Sequence, residues 1–102
     1  MAWFVKTETF TAETAALTIE QRRPFLEAHR NWLAQQFGLG RCIRSGFLVD
    51  DQRRPGGGGL LMFQASSYAD ALEWVSQDPM IVAGLVVWQL QEWIPVTGDD
   101  WP

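Results

Sequence analysis

The sequence predicts an α+β protein of the ferredoxin-like class, with the element order β-α-β-β-α-β. Three observations predict it. The length of 102 residues suits one domain, and an apolar share of 47% is ordinary for a globular protein. Segments with strand-like alternation and segments with helix-like periodicity then follow one another in that order. This order predicts a four-stranded antiparallel sheet with two helices on one face.

The first strand is predicted over residues 3–10, which alternate and are rich in aromatic and β-branched residues. Lys6 and Glu8 are unusual on a central strand, so we expect them to face solvent or a polar cleft. A connector without regular structure is expected over residues 11–18.

The first helix follows the connector. Thr18 and Gln21 have the spacing of a capping box, in which the threonine hydroxyl accepts from the amide three residues on. Pro24 is poorly tolerated in a helix interior, so we expect the regular helix to begin near Arg22 after an irregular turn. Glycines at positions 38 and 40 end the helix. Its apolar stripe consists of Phe25, Leu26, Ala28, Trp32, Leu33 and Phe37.

Two strands joined by a loop are predicted next. The second strand covers residues 41–50, and a turn-rich loop with four consecutive glycines covers residues 51–59. We expect this loop to be a flexible hairpin connection. The third strand covers residues 60–65 and is apolar on both faces, which indicates a central position in the sheet.

The remaining elements are a helix, a short turn and a strand. Ser67 opens a helix that runs to about residue 77, and Asp78-Pro79 interrupts it because proline disfavours helix at the residue before it. Residues 80–84 add one turn, and the last strand covers residues 86–96. The predicted inner face of the helix consists of Tyr68, Leu72 and Val75.

The chain is therefore expected to form one domain over residues 1–96 with an acidic tail over residues 97–102. Apolar residues lie on both sides of the third and fourth strands, and a chain of this length has no third layer to cover the second face. Face-to-face association of two copies would bury that surface. The sequence thus predicts a homodimer, in which Trp101 of the tail docks on the partner or lies in a disordered segment.

Composition excludes several functions. The net charge of −4 argues against nucleic-acid binding, and no apolar run approaches the length of a membrane span. No basic start followed by an apolar stretch indicates secretion, so a cytoplasmic location is expected. One histidine and one cysteine are too few for a typical zinc site or a disulfide framework. Cys42 is expected to be a half-buried inert thiol. We expect neither a metal nor another cofactor.

Several short motifs, taken together, resemble the YciI-like family over about residues 3–96. They are the histidine-bearing helix segment at 28–33, Leu60-Leu61-Met62-Phe63 with Tyr68-Ala69-Asp70-Ala71, Asp78-Pro79 followed by Ala83-Gly84, and a closing strand with Trp93 and Pro95. Two features depart from the family pattern. Gly46 is followed by phenylalanine where the family usually has proline, and the loop at 38–41 is longer, which would reshape a pocket beside the second strand.

The resemblance implies a dimeric α+β barrel with a small-molecule pocket, and a histidine and an aspartate as its acid–base pair. The matching residues are His29 and Asp78. Residues three and four positions to either side of His29 are apolar, so its side chain is expected to point toward the sheet. Antiparallel helices on one face would bring Asp78 beside it. A satisfied core histidine, and an aspartate that only ends a helix, are the structural alternatives.

The predicted function is that of a small dimeric enzyme, a cofactor-free isomerase or lyase that works by proton transfer. His29 and Asp78 are the predicted catalytic residues. Arg22 lies seven residues before His29 on the same helix face, where it could bind a small anionic organic molecule, or merely form a surface ion pair. The alternative function is a non-catalytic ligand-binding or interaction module, since the fold alone implies no activity.

Overall fold

A four-stranded antiparallel sheet organises the protein, whose computed structural model describes residues 1–99. The elements confirm the predicted ferredoxin-like class. Of the predicted tail at 97–102, residues 100–102, including Trp101, lie outside the described residues. In chain order the elements are β1 (Ala2–Phe10), α1 (Ala12–Ala16), α2 (Ile19–Gly38), β2 (Ile43–Val49), β3 (Pro55–Ala65), α3 (Tyr68–Val75), α4 (Pro79–Val82) and β4 (Val86–Trp93).

The strand order is β2-β3-β1-β4, so β3 and β1 are the two inner strands. This agrees with the position predicted for β3. Residues that face the helices form rows across the sheet, and two rows position the site described below. One row contains Ser45, Leu61, Lys6 and Leu90, and the next contains Phe47, Gly59, Glu8 and Trp88.

The core lies between this sheet face and the helices. Its buried residues are Phe4, Leu61, Phe63, Ala65, Ala71, Trp74, Val75 and Leu90. The Trp74 ring lies 4.5 Å from the Phe63 ring and 4.8 Å from the Trp32 ring, centroid to centroid, so it joins the sheet to α2. The predicted inner face of α3 is wrong at one position. Val75 is buried, and Tyr68 packs its ring against Phe4 and donates a hydrogen bond to the Leu90 carbonyl. Leu72 is 39% exposed, and Ala71 and Trp74 complete the side that packs on the sheet.

The segment between β1 and α2 is more regular than expected. It contains the short helix α1, whose first turn is capped by the Thr11 hydroxyl. The predicted capping box of Thr18 and Gln21 is present, and it starts α2 at Ile19 rather than near Arg22. Pro24 lies inside this helix. Because proline has no backbone N–H, the carbonyl four residues earlier lacks its helical hydrogen bond. This carbonyl lies near an exposed helix end, where water can bind it instead.

The glycine run is strand rather than flexible loop. Gly58 and Gly59 pair with Thr9 and Glu8 of β1, and β3 begins at Pro55, which pairs with Val49 of β2. The remaining connection is a tight turn in which the Asp50 side chain accepts hydrogen bonds from two backbone amides. Pairing with neighbouring strands therefore overrides the low strand propensity of glycine.

The last strand is shorter than predicted. It ends at Trp93, which pairs with Trp3, because β1 has almost no residues left beyond that point to pair with. Ile94 is consequently 67% exposed. Within residues 1–99, none of the helices is both long and apolar enough to cross a membrane.

Candidate functional site

Asp78 lies at the junction of α3 and α4, and its side chain is fully buried. Its Oδ1 atom accepts a hydrogen bond of 2.9 Å from the amide of Met80, so the residue is the N-cap of α4. Aspartate is a favoured N-cap, and Pro79 in the first turn has no amide to leave unpaired. The Asp78-Pro79 pair thus ends one helix, begins the next and fixes the carboxylate in space.

His29 projects from the middle of α2 onto this carboxylate. Its Nδ1 atom lies 2.8 Å from Asp78 Oδ1, and its side chain is 18% exposed. The structure therefore brings together the two residues predicted to form an acid–base pair, which are 49 positions apart in the chain. An ionised carboxylate can only accept, so Nδ1 carries the proton of this hydrogen bond. Nε2 is then the nitrogen left to exchange a proton with another molecule.

Lys6 extends this pair into a network. Its ammonium group donates to Asp78 Oδ2 at 2.9 Å and lies 2.6 Å from Glu8 Oε1. Of the two surroundings expected for Lys6, solvent is wrong, because its side chain is fully buried and faces the polar groups of this network; the side chain of Glu8 is 12% exposed. Alternation along β1 could have indicated this, since Lys6 shares the face of the buried Phe4. The partner from α4, however, is invisible in the local sequence.

The charges of the network decide the ionisation of Asp78. Burial by itself would raise the pKa of the Asp78 carboxyl, but the hydrogen bond from His29 and the charge of Lys6 outweigh it and hold that pKa below its usual range. Asp78 is therefore ionised at neutral pH. Throughout residues 1–99, every buried side-chain nitrogen or oxygen has a hydrogen-bond partner.

Arg22 lies near the network without joining it. Its guanidinium group lies over the Phe10 ring, 5.2 Å from the centroid. Phe10 follows Glu8 by two positions on β1, so Arg22 points to the same sheet face, beyond the Glu8 end of the network. Its predicted role in anion binding stays a prediction.

Cys42 is exposed rather than half-buried, because it immediately precedes the edge strand β2, which has a neighbour on one side only. Among residues 1–99, no group of three or more histidine, cysteine or acidic side chains is arranged to hold a metal ion.

Comparison with known proteins identifies the family of this chain and a structure of similar fold. The sequence model of the YCII-related domain matches residues 3–94. A search of curated proteins finds no match. The fold is similar to that of 5-chloro-2-hydroxyhydroquinone dehydrochlorinase (TftG) from Burkholderia phenoliruptrix AC1100, solved in complex with 2,5-dihydroxybenzoquinone. The TM-score is 0.66 at 20% sequence identity, over 90% of this chain and 93% of that one.

Proposed function

The chain belongs to the YCII-related domain family, and we propose that it is an enzyme that catalyses proton transfer on a small organic molecule, with His29 and Asp78 as its catalytic pair. One observation carries the proposal. A partly exposed imidazole is hydrogen-bonded at 2.8 Å to a carboxylate that is itself fully buried and ionised. A histidine so oriented is suited to general acid–base chemistry near neutral pH.

The division of roles follows from the hydrogen bonds. Asp78 accepts a hydrogen bond from the Nδ1–H group, so the lone pair of Nε2 is available as a base. When Nε2 takes a proton from a carbon or oxygen of the substrate, the adjacent carboxylate stabilises the imidazolium. In an isomerisation, the imidazolium then returns that proton to another atom of the same molecule. In an elimination, a leaving group departs with its bonding electrons, and the imidazolium afterwards loses the proton to solvent. Neither reaction consumes an oxidant or a reductant.

The substrate we propose is a small oxygenated ring compound. The structurally similar TftG supports this class, since its name is that of a dehydrochlorinase and it was solved with 2,5-dihydroxybenzoquinone. A hydroxyl group on a quinone ring is a vinylogous carboxylic acid, so a hydroxyquinone carries negative charge near neutral pH. Arg22, on the sheet face that bears the network, supplies a cation that could bind this charge.

We further propose that the protein acts as a homodimer. The sheet face opposite the helices carries the apolar side chains of Trp3, Val5, Met62, Val87 and Trp93. Val87 is 63% exposed and Trp93 is 41% exposed. A second copy placed face to face would cover this surface. The cytoplasmic location expected from the sequence stays a prediction.

The test uses two named probes. Chloride release from 5-chloro-2-hydroxyhydroquinone and exchange of ring hydrogen for deuterium in 2,5-dihydroxybenzoquinone are measured for the wild type, for His29→Ala and for Arg30→Ala. Arg30 is the exposed neighbour of His29 on the same helix and serves as the matched control. We expect His29→Ala to lower turnover by about 10²–10⁴-fold and the control to retain it.

Two results would count against the proposal. Unchanged turnover in His29→Ala would remove the imidazole from the reaction. Binding of the probes by the wild type, with neither chloride release nor deuterium exchange, would favour the non-catalytic binding module instead.

A further inference from the structure

Burial of the Lys6 ammonium costs desolvation free energy, and packing does not explain why a charged side chain lies at this position. In its row of the sheet, Lys6 pairs with Leu61 on one side and Leu90 on the other, and both leucines are buried. An apolar side chain would suit this position, because desolvating a charge is strongly unfavourable and buried ion pairs can often be replaced by apolar residues without loss of stability. Its presence therefore points to a role in the site that it contacts.

The contacts of Asp78 show what that role is. One carboxylate oxygen, Oδ1, receives the hydrogen bonds of His29 and of the Met80 amide, while the other, Oδ2, receives the hydrogen bond of Lys6. With both oxygens bonded, the carboxylate cannot rotate about its own axis without breaking a hydrogen bond. Lys6 also supplies the nearest full positive charge, which favours the ionised form of Asp78.

Glu8 provides the second partner of Lys6. Its carboxylate lies 2.6 Å from the ammonium nitrogen, and its side chain runs over Gly59, where a Cβ atom would lie 3.4 Å from Glu8 Cγ. The charged groups that face Lys6 are therefore Asp78 from the α3–α4 junction and Glu8 from its own strand, with His29 of α2 beyond Asp78. The ammonium lies between two carboxylates and holds each of them in place.

We propose that Lys6 is a positioning residue of the acid–base pair: it keeps Asp78 ionised and oriented, so that His29 presents Nε2 as the reactive nitrogen. This inference rests on the proposed function for its effect on turnover. Lys6 itself is sealed from solvent, so it acts through Asp78 and does not contact the substrate.

The test removes the ammonium in two ways. Lys6→Met leaves the carboxylates of Asp78 and Glu8 without the positive charge of the ammonium, so this variant is at risk of failing to fold. The double variant Lys6→Met with Glu8→Gln is therefore made as well, because it removes one charge of each sign. With 5-chloro-2-hydroxyhydroquinone as the probe, we expect kcat at neutral pH to fall by about 10–100-fold with a smaller change in KM. The acid limb of the pH profile should move to higher pH, because Asp78 takes up a proton more easily.

A cycle with Asp78→Asn separates positioning from a general loss of stability. If Lys6 acts through Asp78, its replacement in the Asp78→Asn background lowers kcat by no more than about twofold further. The inference would be overturned if the fold-decreases in kcat of the two single substitutions multiplied fully in the combined variant. An unmoved pH profile in a folded Lys6 variant would overturn it as well.

A measurement without turnover keeps the two proposals distinguishable. The ¹⁵N spectrum of the His29 imidazole at neutral pH should show the proton on Nδ1 in the wild type and a mixture of tautomers in the double variant. A spectrum unchanged by the double substitution would refute the positioning role of Lys6, whatever the activity. If His29→Ala kept full activity while the double variant still changed the His29 tautomer, the proposed function alone would be refuted.

Discussion

Replacement of Asp78 by asparagine gives the sharpest test of the network. Asparagine has nearly the same shape, and its oxygen can still accept from His29 and from the Met80 amide. Its NH₂ group, however, would face the ammonium of Lys6, where Asp78 Oδ2 now accepts a hydrogen bond of 2.9 Å. The substitution therefore leaves a fully buried ammonium with Glu8 as its remaining counter-charge.

The expected loss of stability is large for a chain of this size. Removal of one partner from a buried ion pair costs about 3–5 kcal/mol, and the remaining contact with Glu8 favours the lower end of that range. A loss of about 3 kcal/mol is a large fraction of the roughly 5–15 kcal/mol that stabilises a typical domain. It should lower the Tm by about 12–24 °C, and urea unfolding at pH 7 measures it directly.

The pH dependence gives a second, independent outcome. The pKa of Asp78 is lower in the folded protein than its ordinary value, so its ionisation stabilises the fold above that ordinary value, about 3.9. This contribution is lost as the pH falls from there through the lower folded-state pKa. The stability difference between wild type and Asp78→Asn should therefore narrow below about pH 4.

The matched control is Asp51→Asn, the same chemical change in an exposed turn. It should alter the free energy of unfolding by no more than about 0.5 kcal/mol. A stability loss for Asp78→Asn as small as that of the control, or a difference that does not narrow in acid, would refute the claim that the buried charges depend on one another.

The other predictions concern assembly and backbone strain. Light scattering should give about twice the chain mass of 11.6 kDa, and Val87→Asp, on the sheet face opposite the helices, should shift the mass to that of one chain; a monomeric wild type would contradict the homodimer. Gly57→Ala should destabilise the protein by about 1–2 kcal/mol in urea unfolding, since Gly57 has a φ of +73° and a Cβ there would lie 3.0 Å from the Phe10 ring. Gly38→Ala, whose Cβ would meet nothing within 4 Å, is the control, and an equal effect of both would argue against strain at Gly57.

Much of the architecture follows from local pattern, and the failures share a cause. The stripe of α2 and the alternation of β1 are periodic over many residues, so element type and order could be predicted. The glycine run of β3 has no such pattern, and its pairing with β1 and β2 decides its structure. The inner face of α3 was predicted without Ala71, because an alanine does not stand out in a hydrophobic pattern, although Ala71 is fully buried.

The site could be predicted in part for a similar reason. The resemblance to the YciI-like family indicated His29 and Asp78, an inward helix position and a helix junction supported them, and the fold brings them together. Lys6 has only its position on a strand. Whether that position is solvated depends on a carboxylate 72 residues later in the chain, and no pattern within β1 records that partner.

The exposure of the four side chains of the network restricts where chemistry can occur. The network runs from His29 through Asp78 and Lys6 to Glu8, and its two inner members are fully buried while its two ends are 18% and 12% exposed. Any molecule that meets the network therefore meets His29 or Glu8 first. The carboxylate of Glu8 is engaged by the ammonium of Lys6, which lies 2.6 Å from its Oε1 atom. At His29, only Nδ1 is engaged by Asp78, so Nε2 is left to exchange a proton with another molecule. Proton exchange with a bound molecule is accordingly expected at the imidazole end of the network.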